Sequence, residues 1–209
     1  MSQAFHRPVR MPGEHFDFVK GGEDPAVVAR SAHETAAALV SRVRADPNPE
    51  IVERLVGFAE REGIDAIAEL WSRSAPTSLP GALWRIYLLR EMIRRDPAAV
   101  TLFFDRGVRR LESIDSVVAG APRPAGPEEL LKVADEILRG VFEGDLGVAL
   151  DRAAAFCRVT AAGCTDVADD SDAGEPERAA TLTTRAARLA SMAQALSTSA
   201  TLWREGALD

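Results

Sequence analysis

Apolar residues recur every three or four positions through most of the chain, which is the spacing of side chains on one face of an α-helix. The pattern is clearest near the end of the sequence, where the apolar positions follow alternating steps of four and three residues: Leu182, Ala186, Leu189, Ala193, Leu196, Ala200 and Trp203. No segment alternates apolar and polar residues with the period of two that a half-buried strand requires. The sequence therefore predicts an all-α protein.

Prolines mark where many of these helices begin. Asp24, Asn48, Asp96 and Glu175 each precede a proline that opens a helical pattern. A polar side chain at the N-cap accepts a hydrogen bond from a free amide of the first turn, and a proline at the next position has no amide to leave unpaired. We predict helices over 25–44, 49–62, 64–73, 80–95, 97–112, 127–142, 145–169 and 176–205.

The last two predicted helices have seams rich in Ala, Ser and Thr, which allow two helix axes to approach closely. We therefore predict a multihelical orthogonal bundle of about eight helices that ends in a long antiparallel helical hairpin. The acidic segment 166–177 between the last two helices is predicted to be a solvated loop.

Residues 1–22 contain prolines and glycines and have no helical period. We predict a non-helical N-terminal arm over 1–22 and a single all-helical domain over 23–209. Because Phe5, Phe16 and Phe18 are too apolar to remain in water, we expect the arm to lie across the helical body or across a partner subunit.

The predicted helix 80–95 has apolar side chains around nearly its whole circumference, which is typical of a helix surrounded by others. Arg85 and Arg90 fall within these apolar positions. An unpaired buried charge costs several kcal/mol, so each guanidinium requires a carboxylate partner or a path to water. The acids on other predicted helices are Glu34, Asp65, Glu69, Asp135 and Asp151.

Internal salt bridges that fix the helix register are one interpretation of these arginines. The other is a polar pocket that binds an anionic small molecule or a peptide carboxylate. The candidate ligand-binding residues are Trp71, Trp84, Arg85, Tyr87, Arg90, Glu34 and His33.

The net charge of −7 argues against non-specific binding of nucleic acid, which needs an excess of basic residues. One stretch, residues 85–110, is nevertheless rich in arginine. Its exposed side chains are predicted to form either an interaction patch, for an acidic protein surface or for nucleic acid, or a simple solvated helix end. The residues of this patch are Arg95, Arg106, Arg109 and Arg110.

Motifs of catalysis are incomplete. His33 and Glu34 open a zinc-type HExxH motif, but Ala37 stands where the second histidine belongs. Cys157 and Cys164 lie seven residues apart on one predicted helix, about 10.5 Å between Cα atoms, which is too far for a disulfide and is not a zinc spacing. We therefore predict a protein that is not an enzyme and uses no cofactor and no metal.

No apolar run approaches the roughly 18 residues of a membrane span, and the N-terminus lacks the apolar segment of a signal peptide. We therefore expect a cytoplasmic protein without membrane contact.

Five runs of the sequence resemble a family of small helical proteins from high-GC Gram-positive bacteria: AHETAAALV, GIDAIAELW, SLPGALWRIYLLR, VVAGAPRPAGPEEL and ALDRAAAFCRVTAAGC. The resemblance extends over nearly the whole chain from residue 24. Members of that family often carry the label "DNA-directed RNA polymerase subunit beta". The label is not literal, because the true β subunit is many times longer and rich in sheet. The resemblance implies a cytoplasmic location and a role near transcription, and it assigns no catalytic residue.

These observations predict a non-enzymatic protein-interaction or regulatory module, with a protein partner or a homodimer as its expected complex. One alternative is a helical protein that binds a small anionic ligand. The other is a transcription-associated factor that contacts RNA polymerase.

Overall fold

The computed structural model describes residues 24–40, 64–114, 124–171 and 174–209. Within these ranges the chain forms helices and no strand, which confirms the all-α prediction. The described helices are α1 (Pro25–Leu39), α2 (Ile64–Trp71), α3 (Leu79–Arg95), α4 (Pro97–Ile114), α5 (Pro127–Leu138), α6 (Leu146–Ser171) and α7 (Pro176–Arg204). They number seven, not about eight. The predicted helix 49–62 and the predicted arm 1–22 lie outside the described residues.

Proline opens α1, α4, α5 and α7, as the sequence pattern predicts. Asp24 accepts a hydrogen bond from the amide of Ala26 at 2.9 Å, and Asp96 accepts one from the amide of Ala99 at 3.0 Å. Glu175 makes no side-chain capping bond. Two of these four starts are therefore fixed by a capping carboxylate as well as by the proline.

The start of α3 is held by the chain around it. The Ser78 hydroxyl accepts a hydrogen bond from the amide of Gly81 at 3.2 Å, so the helix begins one residue earlier than predicted. The amide of Leu79 donates to the backbone oxygen of Asp209 at 2.5 Å, and the neighbouring Leu208 is fully buried. The segment after α7 thus packs against the first turn of α3.

Several helix ends differ from the predicted ones. Helix α5 ends at Leu138 instead of residue 142, because Gly140 adopts a positive φ of 65° that terminates the helix. Helix α6 continues to Ser171, so Asp166, Asp169 and Asp170 are helical. The predicted helix 145–169 already contained Asp166 and Asp169, and α6 extends two residues beyond it. The overlapping assignment of these acids to a solvated loop is wrong, and their arginine partners are described below.

Helices α6 and α7 lie side by side and run in opposite directions. Arg158 donates to the Ser197 hydroxyl at 3.0 Å, and Arg204 pairs with Asp151. As the residue number decreases along α6, the number of its contact on α7 increases, which is the arrangement of two antiparallel helices. The predicted 4-3 seam of α7 is buried against the core from Leu182 to Ala200, and its last member, Trp203, is half-buried.

Helices α4 and α6 are in backbone contact at two glycines. A Cβ atom built on Gly163 would lie 1.7 Å from the carbonyl oxygen of Phe103, and one built on Gly107 would lie 1.9 Å from that of Val159. Real side chains do not tolerate such distances, so only glycine permits this crossing. The contact fixes α4 against the α6–α7 pair.

Helix α3 is more deeply buried on one side than on the other. Leu83, Ile86 and Ile93 are buried, whereas Trp84 and Leu88 on the opposite side are half-buried. No residue from 79 to 93 is exposed, so α3 is largely enclosed as expected and its Trp84 side is covered only in part. None of the described helices has the length and apolar character needed to cross a bilayer.

The glycine contact leads to a stability prediction. Gly163→Ala should lower the free energy of unfolding by about 3 kcal/mol, because the new methyl group forces the α4 and α6 backbones apart. Helix propensity alone would favour alanine over glycine by about 1 kcal/mol. A loss of stability would therefore show that the steric clash outweighs helix propensity, and a gain would show the reverse. Gly174→Ala is the matched control, since no atom lies within 4 Å of its Cβ position. Urea unfolding followed by circular dichroism measures both; equal stabilities would contradict the close crossing.

Candidate functional site

The half-buried side of α3 carries an aromatic pair. Trp84 and Tyr87 are three residues apart and therefore lie on the same side of the helix. Their rings stack with centroids 5.4 Å apart and an interplanar angle of 17°. At 100° per residue, Tyr87 and Arg85 bound an arc that also contains Trp84, Leu88 and Met92, together with the charged residues Glu91 and Arg95. We call Trp84, Arg85, Tyr87, Leu88 and Met92 the outer arc of α3.

Tyr87 connects the outer arc to α2. Its hydroxyl donates a hydrogen bond to Asp65 Oδ1 at 2.9 Å. Burial is the main cause that raises the pKa of Tyr87 to about 12, and the hydrogen bond and negative charge of Asp65 add to it. The phenol thus stays protonated and keeps its position across the ordinary pH range.

Arg90 is paired as the sequence suggested. Its Nε donates to Asp135 Oδ1 on α5 at 2.6 Å, and its Nη1 donates to Glu91 Oε1 at 2.8 Å. The arginine side chain is only 12% exposed, so the two carboxylates replace the water it has lost. This interaction holds α5 against α3 and places Arg90 away from any open pocket.

Arg85 is not paired in this way. Its Nη1 donates to the carbonyl oxygen of Gly81 at 2.7 Å, one turn earlier in the same helix. No carboxylate of the described residues lies within salt-bridge distance, and burial lowers the pKa of Arg85. Its other N–H groups are therefore available to an acceptor that the described chain does not supply.

The acids that the sequence offered to Arg85 are used elsewhere or are exposed. Asp65 binds Tyr87, Asp135 binds Arg90, and Asp151 binds Arg204. Glu34 and Glu69 lie on exposed faces of α1 and α2. The internal salt-bridge interpretation thus holds for Arg90 and fails for Arg85 within the described chain.

The remaining predicted ligand-binding residues lie in other surroundings. Trp71 is fully buried and donates its indole N–H to the Thr35 hydroxyl at 3.1 Å, which makes it a core residue between α1 and α2. His33 and Glu34 are exposed on α1. Within the described chain, the geometry therefore reduces the predicted pocket to the outer arc.

The predicted basic patch is largely neutralised. Arg106 pairs with Asp166 at 2.5 Å and with Asp170, and Arg110 pairs with Asp169 at 2.7 Å. The hydrogen bonds that Arg106 donates to Asp170 and Asp166 raise the pKa of Arg106. The hydrogen bond that Arg110 donates to Asp169 raises the pKa of Arg110.

The other two arginines of that patch are exposed. Arg95 lies 3.8 Å from Glu91, and Arg109 donates to the carbonyl oxygen of Asp105 at 3.3 Å. The four arginines therefore do not form one free cationic surface, and the idea of an arginine patch for an acidic partner is wrong for Arg106 and Arg110. The spacing of these residues shows that each set lies on one helix face, but not that the two faces meet.

The cysteines are core residues. Cys157 is fully buried, and burial raises the pKa of its thiol to about 12. The pKa of Cys164 is raised by the same cause. Neither thiol supplies the thiolate that nucleophilic or metal chemistry needs near neutral pH. The part of the chain that the structure describes also contains no group of metal-ligating side chains.

A cleft between α5 and α6 was not predicted. Its volume is about 410 Å³, and its walls carry charged side chains around a small apolar floor. The lining residues are Ala125, Glu129, Lys132, Val133, Glu136 and Arg152. The α5 members recur at steps of three and four, which marks one face of the helix, but the sequence does not show that α6 would form the opposite wall.

Comparisons with protein-family models, with curated proteins and with solved structures find no match to this chain. The functional argument therefore rests on the geometry described above.

The Arg90 pair leads to a second stability prediction. Arg90→Met should cost about 2 kcal/mol of unfolding free energy, because Asp135 and Glu91 lose their partner in a partly buried site. Arg95→Met is the matched control on the same helix, and it should change stability by less than about 0.5 kcal/mol because the Arg95 side chain is 80% exposed. Chemical denaturation distinguishes the two; a loss at Arg95 as large as that at Arg90 would contradict this assignment.

Tyr87 can be followed directly, because it is the one tyrosine in the sequence. Tyrosinate absorbance should show half-ionisation near pH 12 in the folded protein and near pH 10 in urea. Since the folded pKa is the higher one, its stabilising contribution is present below about pH 10 and is lost as the pH rises through about 12. Asp65→Asn should lower the folded pKa only partly, because burial remains. Half-ionisation near pH 10 in the folded protein would refute this environment.

Proposed function

We propose that the protein is a non-enzymatic protein-interaction module that binds a carboxylate-bearing segment of a partner at the outer arc of α3. The observation that carries the proposal is the combination of a partly desolvated Arg85, without a carboxylate from the described chain, and the stacked Trp84 and Tyr87 rings on the less buried side of the same helix. Tryptophan, tyrosine and arginine are the residue types most enriched where binding energy concentrates in protein interfaces.

The chemistry of the arc suggests how a partner is held. One N–H group of Arg85 is already fixed by Gly81, so the guanidinium is oriented before binding and loses less side-chain entropy. A carboxylate of the partner would accept from its remaining N–H groups, with charge-assisted hydrogen bonds. Leu88 and the stacked rings would cover apolar groups beside that carboxylate.

The frame around the arc supports this role. Tyr87 is tied to α2 through Asp65, and Arg90 is tied to α5 through Asp135. We infer that the helices form an orthogonal bundle that presents the arc as a pre-organised surface. The single domain over 23–209 and the cytoplasmic location remain predictions from the sequence.

A small anionic ligand is the second candidate, and the same feature of Arg85 favours it. A free carboxylate or phosphate would satisfy the guanidinium as a peptide carboxylate does. The two candidates differ in the surface that they cover. A protein partner would cover Trp84 and Leu88 in addition to Arg85, whereas a small anion would contact mainly the guanidinium.

The test uses the full chain, tagged and purified from its own host with the chemical cross-linking that preserves weak complexes. Trp84→Ala and Arg85→Gln should each reduce recovery of a specific partner by about tenfold or more. Leu102→Ala and Arg109→Gln are matched controls at exposed positions of α4 and should not reduce it. Recovery that is unaffected by both arc variants, with folding intact, would refute the proposal.

The same preparations distinguish the alternatives. A small ligand would appear in native mass spectra as a retained mass that Arg85→Gln removes and Trp84→Ala need not remove. RNA polymerase subunits among the arc-dependent partners would support the contact with transcription that the family resemblance implies.

A further inference from the structure

The outward face of α5 carries an alternating row of charges. Its members follow steps of three, four and three residues, and so they lie on one side of the helix. They lie opposite the buried residues Leu130, Ala134 and Ile137. The row, in chain order, is Glu129, Lys132, Glu136 and Arg139. We call it the α5 charge row.

Arg139 belongs to the row although it follows the last helical residue, because its backbone keeps a helical conformation with φ −91° and ψ −1°. Glu129, Lys132 and Arg139 are exposed, and Glu136 is half-buried. Within the described chain no member makes a salt bridge or a side-chain hydrogen bond. This differs from the arginines of α4, where Arg106 and Arg110 both have acids on α6.

The charges of the row are negative, positive, negative and positive in chain order. A second copy of the row that runs in the opposite direction therefore presents the opposite charge at each position. Lys132 and Glu136 are one helical turn apart, with position 134 midway between them. A two-fold axis beside position 134 places Lys132 opposite Glu136 of a second copy, and Glu129 opposite Arg139 of that copy. Every facing pair then has opposite charges. Such self-complementarity is what a symmetric two-fold interface requires.

We propose that the protein forms a homodimer in which α5 packs antiparallel against α5 of a second copy, with the α5 charge row setting the register. This inference does not depend on the proposed function of α3, which uses a different helix and a different set of residues.

Charge pairs at a surface contribute at most about 1 kcal/mol each, so apolar contact must provide part of the affinity. A stable interface buries roughly 800 Å² on each partner, more than one row of side chains offers. Apolar side chains near α5 can add to the row: Val133 lines the cleft, and Val141, three residues beyond the end of α5, is 48% exposed.

The cleft itself fits a protein surface better than a small molecule. Pockets for small ligands enclose most of the ligand within largely apolar walls. Here Lys132, Glu129 and Arg152 are exposed around the opening. Only a partner large enough to exclude water from these side chains would strengthen their interactions.

Sedimentation equilibrium and native mass spectrometry of the full chain test the proposal. The wild-type protein should dimerise at low ionic strength, and the dimer should weaken as salt is raised toward 1 M, where the screening length falls to about 3 Å. Lys132→Glu or Glu136→Lys each places like charges opposite one another twice across the axis. Each variant should raise the dimer dissociation constant by about tenfold or more.

Two combinations test the two-fold geometry itself. The double variant Lys132→Glu/Glu136→Lys restores opposite charges at both facing pairs and should recover the wild-type dissociation constant to within about threefold. An equimolar mixture of the two single variants should form heterodimers, because each then supplies the charge that the other needs.

Arg188→Glu and Glu177→Lys are matched charge reversals at exposed positions of α7 and should leave the dissociation constant unchanged. Trp84→Ala should also leave it unchanged, which separates this inference from the function proposed for α3. A protein that stays monomeric at low salt, a dimer that Lys132→Glu does not weaken, or a double variant that does not recover would each overturn the proposal.

Discussion

An arginine guanidinium that is removed from water needs hydrogen-bond acceptors, and this requirement determines how the arginines of this protein are paired. Arg90 takes Asp135, and that pair fixes α5 on α3. Arg106 and Arg110 take the acids at the end of α6, which keeps those acids helical where the sequence suggested a loop. Arg85 obtains only the carbonyl of Gly81, and it is for this reason that the outer arc of α3 is a candidate binding surface.

A second constraint is the closeness of the backbones in the α4–α6–α7 body. Small residues line these contacts, and at Gly107 and Gly163 the backbones of α4 and α6 touch. Such packing has a cost, because the hydroxyls of Thr160 and Ser199 are buried and find no hydrogen-bond partner within the described chain. The close fit of the surrounding apolar side chains must outweigh that cost.

The two proposed surfaces follow from this division of charges. Where an arginine is paired with a carboxylate of the described chain, the salt bridge stabilises the fold and leaves few N–H groups of that arginine for a binding partner. The arc and the α5 charge row are two places within the described chain where aromatic or charged side chains keep unused binding capacity. Because they lie on different helices, the two proposed interactions do not compete for the same residues.

The sequence by itself determined the helices, because periodicity and N-terminal prolines are local signals: α1, α4, α5 and α7 begin at the predicted prolines. It also placed Asp135 among the partners of the buried arginines. It could not assign that acid to Arg90 and none to Arg85, nor show that the Trp84 side of α3 is less deeply buried than the other. Those outcomes depend on which helices meet and at what distance, and only tertiary packing sets the burial that decides whether a charge needs a partner.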